Sequence, residues 1–169
     1  GRDDCEVSFQ LGVAFHESGE TDSALHYYRR AADLDPSFSK AYVNMGVLWD
    51  ERRHPSEALV QFDKAIEARP DDLLAHAYAA SVLLSLRRYE DAWKHLDRAL
   101  EIDPLDPRAH YYLADLFWAS GMFRETLAEW ELVIELAPGD PLAQQAERNI
   151  GLLQRALTEP WPAYEAIGT

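Results

Sequence analysis

Few residues of this 169-residue sequence have the types and spacing that catalysis requires. His16 and Glu17 are adjacent and could form an acid–base pair, but they stand in HESGE at a predicted helix end, where exposed polar residues are usual. His76 and His110 fall on positions that should pack. There is no HExxH pair, glycine-rich phosphate loop, GxSxG elbow or cluster of metal ligands. We therefore predict no enzyme, no catalytic residue, no metal site and no cofactor.

The charge of the chain argues against several classes of partner. Sixteen Lys and Arg residues stand against thirty Asp and Glu residues, which gives a formal net charge of −14. Such a chain repels the phosphates on which nucleic-acid binding depends. The longest apolar run is shorter than the roughly 20 residues of a membrane-spanning helix. Cys5 is the single cysteine, so no internal disulfide forms, and the compartment stays open with the cytosol slightly favoured.

A period of 34 residues dominates the sequence. Four helix ends read RAADLDPSF, KAIEARPDD, RALEIDPLD and LVIELAPGD, and their prolines recur every 34 residues without an insertion. Proline cannot continue a helix, so each one marks a stop. Two amphipathic stretches flank a short break between successive stops, which predicts one helical hairpin per period. The predicted repeats span about residues 5–38, 39–72, 73–106 and 107–140.

Small residues stand where the helices of a hairpin should approach closely. Gly46 lies among bulky residues of one first helix, and alanines flank Phe62 in the following helix. In the last hairpin Thr126 and Val133 replace those alanines around Trp130, which puts the packing of that hairpin in question. Aspartates placed to cap the next helix follow three of the prolines, namely Asp72, Asp106 and Asp140.

This order of small, aromatic, alanine and proline positions resembles the tetratricopeptide repeat family. The resemblance covers about residues 5–138. It implies an all-α fold, a right-handed α-solenoid of four helix-turn-helix hairpins whose first helices line a concave groove. Residues 141–157 carry one apolar stripe and are predicted to form a C-terminal capping helix, because the last helix of a stack needs a polar face that is exposed to solvent. We expect one domain over residues 1–158, followed by an extended tail or linker at 159–169.

The side of the first helices that has no packing duty should line the groove. That side is rich in apolar and aromatic residues, and an exposed patch of this kind usually marks a binding surface. Some members, particularly Leu74 and Tyr111, could instead pack on the adjacent hairpin. The predicted groove residues are Phe9, Val13, Lys40, Val43, Asn44, Val47, Tyr78, Arg108, Tyr111, Tyr112, Asp115 and Trp118.

Three polar groove residues suggest how a peptide would be held. The resemblance implies that Asn44 bonds to the backbone of a bound peptide, whereas Lys40 and Arg108 could meet a carboxylate or be plain solvated charges. One subclass of the family grips the C-terminal carboxylate of heat-shock chaperones with lysines, asparagines and an arginine. Only the asparagine matches here, so a chaperone-tail clamp is not predicted. The matching slots hold Phe9, Val13, Asn44, Leu74 and Tyr78.

The leading prediction is a scaffold that binds a peptide segment of a partner protein in the concave groove. The acidic field should favour neutral or basic partners that carry apolar anchors. Two alternatives stay open: self-association through an uncapped N-terminal face or the tail, and a recognition arm of a larger multidomain enzyme. The stretch EPWPAYEAIGT is interpreted either as a linker or as a segment that docks on an apolar groove as a ligand mimic.

Overall fold

Helices alternate with short turns along the whole of the described chain. The protein is represented by a computed structural model, which describes residues 2–158 and contains no strand among them. The all-α prediction is confirmed, whereas the tail at 159–169 and its docking hypothesis lie outside the described residues. The helices are α1 (Arg2–Glu17), α2 (Thr21–Leu34), α3 (Ser39–Glu51), α4 (Pro55–Ala68), α5 (Leu73–Ser85), α6 (Tyr89–Ile102), α7 (Pro107–Ala119), α8 (Phe123–Leu136) and α9 (Pro141–Thr158).

The helices stack as a row of hairpins. The two helices of each hairpin pack together, α1 on α2, α3 on α4, α5 on α6 and α7 on α8, and each second helix packs on the first helix of the next pair. Helix α9 packs on α8 and α7 and so continues the row. Four successive apolar clusters, rather than one central core, hold the described residues together. This is the predicted α-solenoid.

Glycine sets the distance between the two helices of the first two hairpins. In the second hairpin the ring of Phe62, which is 1% exposed, lies directly against Gly46 of α3. Gly12 has the same relation to Tyr28, since a Cβ on Gly12 would lie 2.5 Å from Tyr28 Cδ1. Neither ring can move away from an added side chain, because both rings are buried in the core. Close helix approach therefore depends on the missing side chain.

We expect Gly46→Ala to lower the free energy of unfolding by about 2 kcal/mol, because the added methyl group overpacks a closed core. Urea unfolding monitored by circular dichroism measures the change. The matched control is Gly151→Ala in α9, where a Cβ would meet nothing within 4 Å. That variant should gain up to about 1 kcal/mol from helix propensity. Equal effects of the two substitutions would contradict the packing role of Gly46.

The fourth hairpin packs in the same way despite its larger residues. Thr126, Trp130 and Val133 are all buried, and Ala114 of α7 lies in the same apolar cluster as Trp130. The Thr126 hydroxyl donates to the carbonyl oxygen of Met122 at 2.9 Å, so its burial leaves no unpaired hydroxyl. The indole N–H of Trp130 is buried without an acceptor in the described part of the chain. The residues that depart from the repeat pattern are thus accommodated in the core of the fourth hairpin.

The three predicted aspartate caps are present. Asp72 Oδ1 accepts from the backbone N–H of Ala75 at 3.2 Å, and Asp106 Oδ1 accepts from Arg108 and Ala109 at 3.0 Å each. Asp140 Oδ1 accepts from Leu142 at 2.8 Å. These carboxylates satisfy backbone donors that the first turn of a helix leaves unpaired. They fix where α5, α7 and α9 begin.

The two buried histidines occupy equivalent positions but have different partners. His76 Nδ1 lies 3.1 Å from His95 Nδ1, whereas His110 Nδ1 lies 2.7 Å from Glu129 Oε2. Burial lowers the pKa of His76, and the hydrogen bond to Glu129 raises the pKa of His110. Both rings also bond to the carbonyl oxygen of the proline that ends the preceding hairpin. Their role in the described residues is to tie helices together.

Candidate functional site

The predicted groove residues occupy one face of the first helices. Neighbouring helices meet across this face, since His16 Nε2 on α1 lies 3.0 Å from Glu51 Oε2 on α3. At the other end, Asn149 Nδ2 on α9 donates to the Tyr111 hydroxyl on α7 at 3.2 Å. Between them, α3 packs on α5 and α5 packs on α7. The face therefore runs from α1 to α9 without interruption.

The N-terminal half of this face is mostly packed. Phe9 contacts Phe38 edge-on, with ring centroids 5.2 Å apart, and Val13 and Val47 rest against the apolar clusters between hairpins. Val43 is only 3% exposed and lies in the same cluster as Phe62. We therefore correct the assignment of Val43 to the groove surface. Its small side chain sinks between the second and third hairpins, and a partner cannot reach it.

The polar residues of the second hairpin remain accessible. Lys40 is exposed at the start of α3, and Asn44 is half-buried one turn later. The Asn44 amide lies near the hydroxyl of Tyr28, whose pKa is raised by burial, but the hydroxyl forms no hydrogen bond with any described residue. Asn44 thus has a neighbour inside the protein, and the part of its amide that faces outward can still meet a peptide.

An open hollow of about 430 Å³ lies further along the face, between α5, α7 and α9. Tyr78, Arg108, Tyr112 and Leu142 line it, and we call it the tyrosine hollow. Tyr78 stacks on Phe62 with ring centroids 6.1 Å apart, which holds the ring in place. Burial raises the pKa of Tyr112 to about 12, so its hydroxyl stays neutral at any physiological pH. The hollow offers fixed aromatic surface with hydroxyl groups at its edge.

The guanidinium of Arg108 is already paired. Its Nη2 lies 2.8 Å from Asp106 Oδ2, the carboxylate that caps the same helix. Arg108 also lines the tyrosine hollow together with Tyr78. From the sequence, Arg108 could either pair with a carboxylate of a bound partner or be a solvated charge. The structure shows a third role. Arg108 links the start of α7 to the wall of the tyrosine hollow.

A second hollow of about 200 Å³ lies between α7, α8 and α9. Asp115, Trp118, Trp130, Asn149 and Leu152 line it, and we call it the tryptophan hollow. The rings of Trp118 and Trp130 lie 6.0 Å apart at an angle of 34°. Trp118 is 46% exposed, so much of its side chain remains accessible to solvent beside its contacts with Trp130 and Phe123. Two aromatic walls and one carboxylate thus meet at this point.

Asp115 is unusual in its surroundings. In the part of the chain that the structure describes, its side chain makes no hydrogen bond and no ion pair. Burial alone raises the pKa of this carboxyl group to about 6. A half-buried carboxylate without a counter-charge is costly, because desolvation disfavours the ionised form. Such a group commonly marks a place where a ligand completes the set of partners.

Several residues that line the hollows are not among the predicted groove residues, and the largest group of them comes from α9. Leu142, Asn149 and Leu152 all belong to α9, which we interpreted as a cap and not as part of the groove. The signal was available, because Asn149 follows Asp115 by the same 34 residues that separate the repeats. Extending the period past Pro138 would have placed α9 as a fifth first helix. The groove is longer than four hairpins predict.

Two classes of site receive no support from the described residues. Between residues 2 and 158, no three His, Cys, Asp or Glu side chains come together in a way that could hold a metal ion. Over the same range, no helix has the length and apolar character needed to cross a bilayer. His16 bonds to Glu51 on the neighbouring first helix, not to Glu17.

Comparison with known proteins gives the same architecture. A family model described as "Tetratricopeptide repeat" matches residues 9–72, and one described as "TPR repeat" matches residues 80–121. No curated protein matches the chain. The two matches leave the first part of α5, residues 73–79, unmatched and include all of α7.

Three solved structures illustrate the shared fold. MamA 41-end from Desulfovibrio magneticus RS-1 is 18% identical, with a TM-score of 0.68 over 93% of this chain and 98% of the other. The first TPR of Spaghetti, bound to HSP90 peptide SRMEEVD, is 20% identical, with a TM-score of 0.67 over 72% and 96%. YrrB, described as a TPR protein with an unusual peptide-binding site, is 25% identical, with a TM-score of 0.63 over 89% and 79%.

Proposed function

Because the chain belongs to the tetratricopeptide repeat family, we propose that it is a non-enzymatic scaffold that holds a peptide segment of a partner protein on its concave face. The observation that carries the proposal is the tyrosine hollow. Tyr78 and Tyr112 present aromatic surface there that the stacking of hairpins does not consume. Aromatic anchors of this kind contribute much of the affinity of protein interfaces.

The neighbouring structures support binding of a peptide without identifying it. Spaghetti and YrrB are both described with a bound peptide or a peptide-binding site. This chain differs from a chaperone-tail clamp, because Phe9 and Val13 fill positions where that clamp needs polar side chains, and Phe9 is packed on Phe38. A partner segment with apolar anchors and neutral or positive charge fits the aromatic hollows and the net charge of −14.

Selection from a phage-displayed library of random dodecapeptides tests the proposal. We expect enriched peptides to bind the wild-type protein, and to lose at least about tenfold in affinity, about 1.4 kcal/mol, when Asn44→Ala and Tyr112→Ala are combined. The physical reason is the loss of one aromatic anchor and one amide that can pair with a peptide backbone. Fluorescence polarisation with labelled copies of the enriched peptides gives the dissociation constants.

Trp93→Ala is the matched control for this experiment. Trp93 is 46% exposed on α6, a second helix, so its truncation removes a large exposed aromatic side chain outside the two hollows. The control should bind the peptides as the wild type does. Equal binding by the double variant would refute the concave site. An equal loss of thermal stability and affinity would instead assign Asn44 and Tyr112 to the core.

A second candidate function, self-association, rests on the N-terminal face of α1. Val7 is 59% exposed and Leu11 is 40% exposed, although residues in the same slots of the next repeat, Ala41 and Met45, are buried. The surface that later hairpins cover is therefore bare on the first one. Sedimentation at increasing concentration distinguishes the candidates, since a scaffold of this type alone stays monomeric and an assembly module does not.

A further inference from the structure

We propose that the tryptophan hollow receives a basic side chain, lysine or arginine, of the segment that the protein binds. The inference rests on the proposed function and adds the chemical class of one anchor. Asp115 would supply the negative charge, and the indoles of Trp118 and Trp130 the aromatic walls. The hollow lies beside the tyrosine hollow on α7 and α9, so one extended segment can reach both.

The polar groups of the hollow point to a cation. Asn149 already has partners at both ends of its amide, because its Nδ2 donates to the Tyr111 hydroxyl and its Oδ1 accepts from Gln145 Nε2 at 3.0 Å. Asp115 is the charged group that lines the hollow, and its carboxylate has no hydrogen-bond partner among the described residues. The Trp130 indole N–H, the other unpaired polar group there, is buried. Two arginines lie near this part of α7 and have other partners, since Arg108 is paired with Asp106 and Arg148 donates to Gln145 Oε1. A cation from outside would complete the set of charges around Asp115.

The aromatic walls suit the same ligand. A lysine or arginine cation is attracted to the face of a tryptophan ring within about 6 Å, and the attraction is stronger where water is excluded. Trp118 is 46% exposed and therefore accessible to a ligand, whereas Trp130 lines the hollow at 4% exposure. The volume of about 200 Å³ is similar to the roughly 150 Å³ of an engineered cavity that holds benzene, so one side chain fits.

The repeat itself does not explain these residues. The slot of Asp115 holds Val13, Val47 and Ser81 in the preceding three repeats, so stacking does not require a carboxylate there. An unpaired carboxylate in this slot costs stability relative to serine or valine, because the Asp115 carboxyl group is half-buried. A costly group that the architecture does not need is best explained by a ligand. The net charge of −14 favours a cationic one.

Titration of the ¹⁵N-labelled full chain with Nα-acetyl-lysine methylamide tests the proposal. The readouts are the indole N–H resonances of Trp118 and Trp130, with Trp49 and Trp93 as internal controls. We expect saturable shifts at the first two, and at least a tenfold weaker response in Asp115→Asn. The norleucine analogue, which has no charge, should give no saturable shift. The arginine analogue shows which of the two side chains binds more tightly.

Asp50→Asn is the matched control variant. Asp50 is another half-buried carboxylate on a first helix, and burial raises its pKa too, but Arg53 lies near it. This variant should respond as the wild type does. Equal shifts with norleucine, or an unchanged response in Asp115→Asn, would overturn the basic-side-chain assignment. The probe contains a single side chain, so such a failure would leave the peptide-selection result for the tyrosine hollow unaffected.

Discussion

Asp72→Ala should lower the free energy of unfolding by about 3 kcal/mol, the largest loss among the three capping aspartates. Asp72 is 1% exposed and accepts from the backbone N–H of Ala75, from the Ser39 hydroxyl at 2.7 Å and from Arg69. Loss of a cap costs about 1 kcal/mol. The Ser39 hydroxyl, itself 5% exposed, would then be left buried and unpaired, which adds about 1–3 kcal/mol.

The other two caps provide a graded control. Asp106→Ala should cost about 2 kcal/mol, because Asp106 caps α7 and pairs with Arg108 but has no buried hydroxyl partner. Asp140→Ala should cost only about 1 kcal/mol, since Asp140 is exposed. Urea unfolding with tryptophan fluorescence and circular dichroism measures the series. Equal losses for all three variants would mean that the Ser39 contact between neighbouring hairpins contributes nothing.

Asp115→Asn should have the opposite sign and raise the free energy of unfolding at pH 7 by about 2–3 kcal/mol. The pKa of Asp115 rises from 3.8 to about 6 in the folded protein. Two pKa units correspond to about 3 kcal/mol of preference for the protonated form. The ionised carboxylate therefore destabilises the fold at neutral pH, and the neutral amide removes most of that cost.

The pH dependence provides the control for this prediction. Well below pH 3.8, Asp115 is protonated in both the folded and the unfolded state, so the substitution should gain almost nothing. Between pH 4 and 6 the folded state holds the proton more tightly, and stability falls as the pH rises. The gain of the variant should therefore grow over this range and level off above it. A gain that is independent of pH would show that the charge of Asp115 is not its source.

The sequence predicts most of the architecture because the repeat is strict. Each proline stops a helix, each capping aspartate starts one, and Gly46 fixes how closely α3 and α4 approach. These features act within one hairpin, so their spacing along the chain carries the information. The 34-residue period then places each hairpin on the next. The predicted helical hairpins and aspartate caps agree with the structure for this reason.

The site is less predictable because it depends on which helices become neighbours. Val43 and Tyr111 occupy the same slot of their repeats, yet the small Val43 is buried and the larger Tyr111 reaches the surface and bonds to Asn149. Side-chain size, not helical phase, decides between the two outcomes. The desolvation of Asp115 likewise arises where α9 and α8 close around it. The residue pattern of a single helix does not show which other helices will pack around it.

The different partners of the two buried histidines give the stack an uneven response to acid. Below about pH 6.5 the unfolded chain binds protons that the His76–His95 pair resists, so the third hairpin loses stability as the pH falls. His110 retains its full stabilising effect in the same range, because its pKa is raised beside Glu129. Mild acid would therefore destabilise the third hairpin before the fourth. A peptide segment bound across both hollows would then lose its contact with Tyr78, which lies on the third hairpin, before its contacts with α7 and α9.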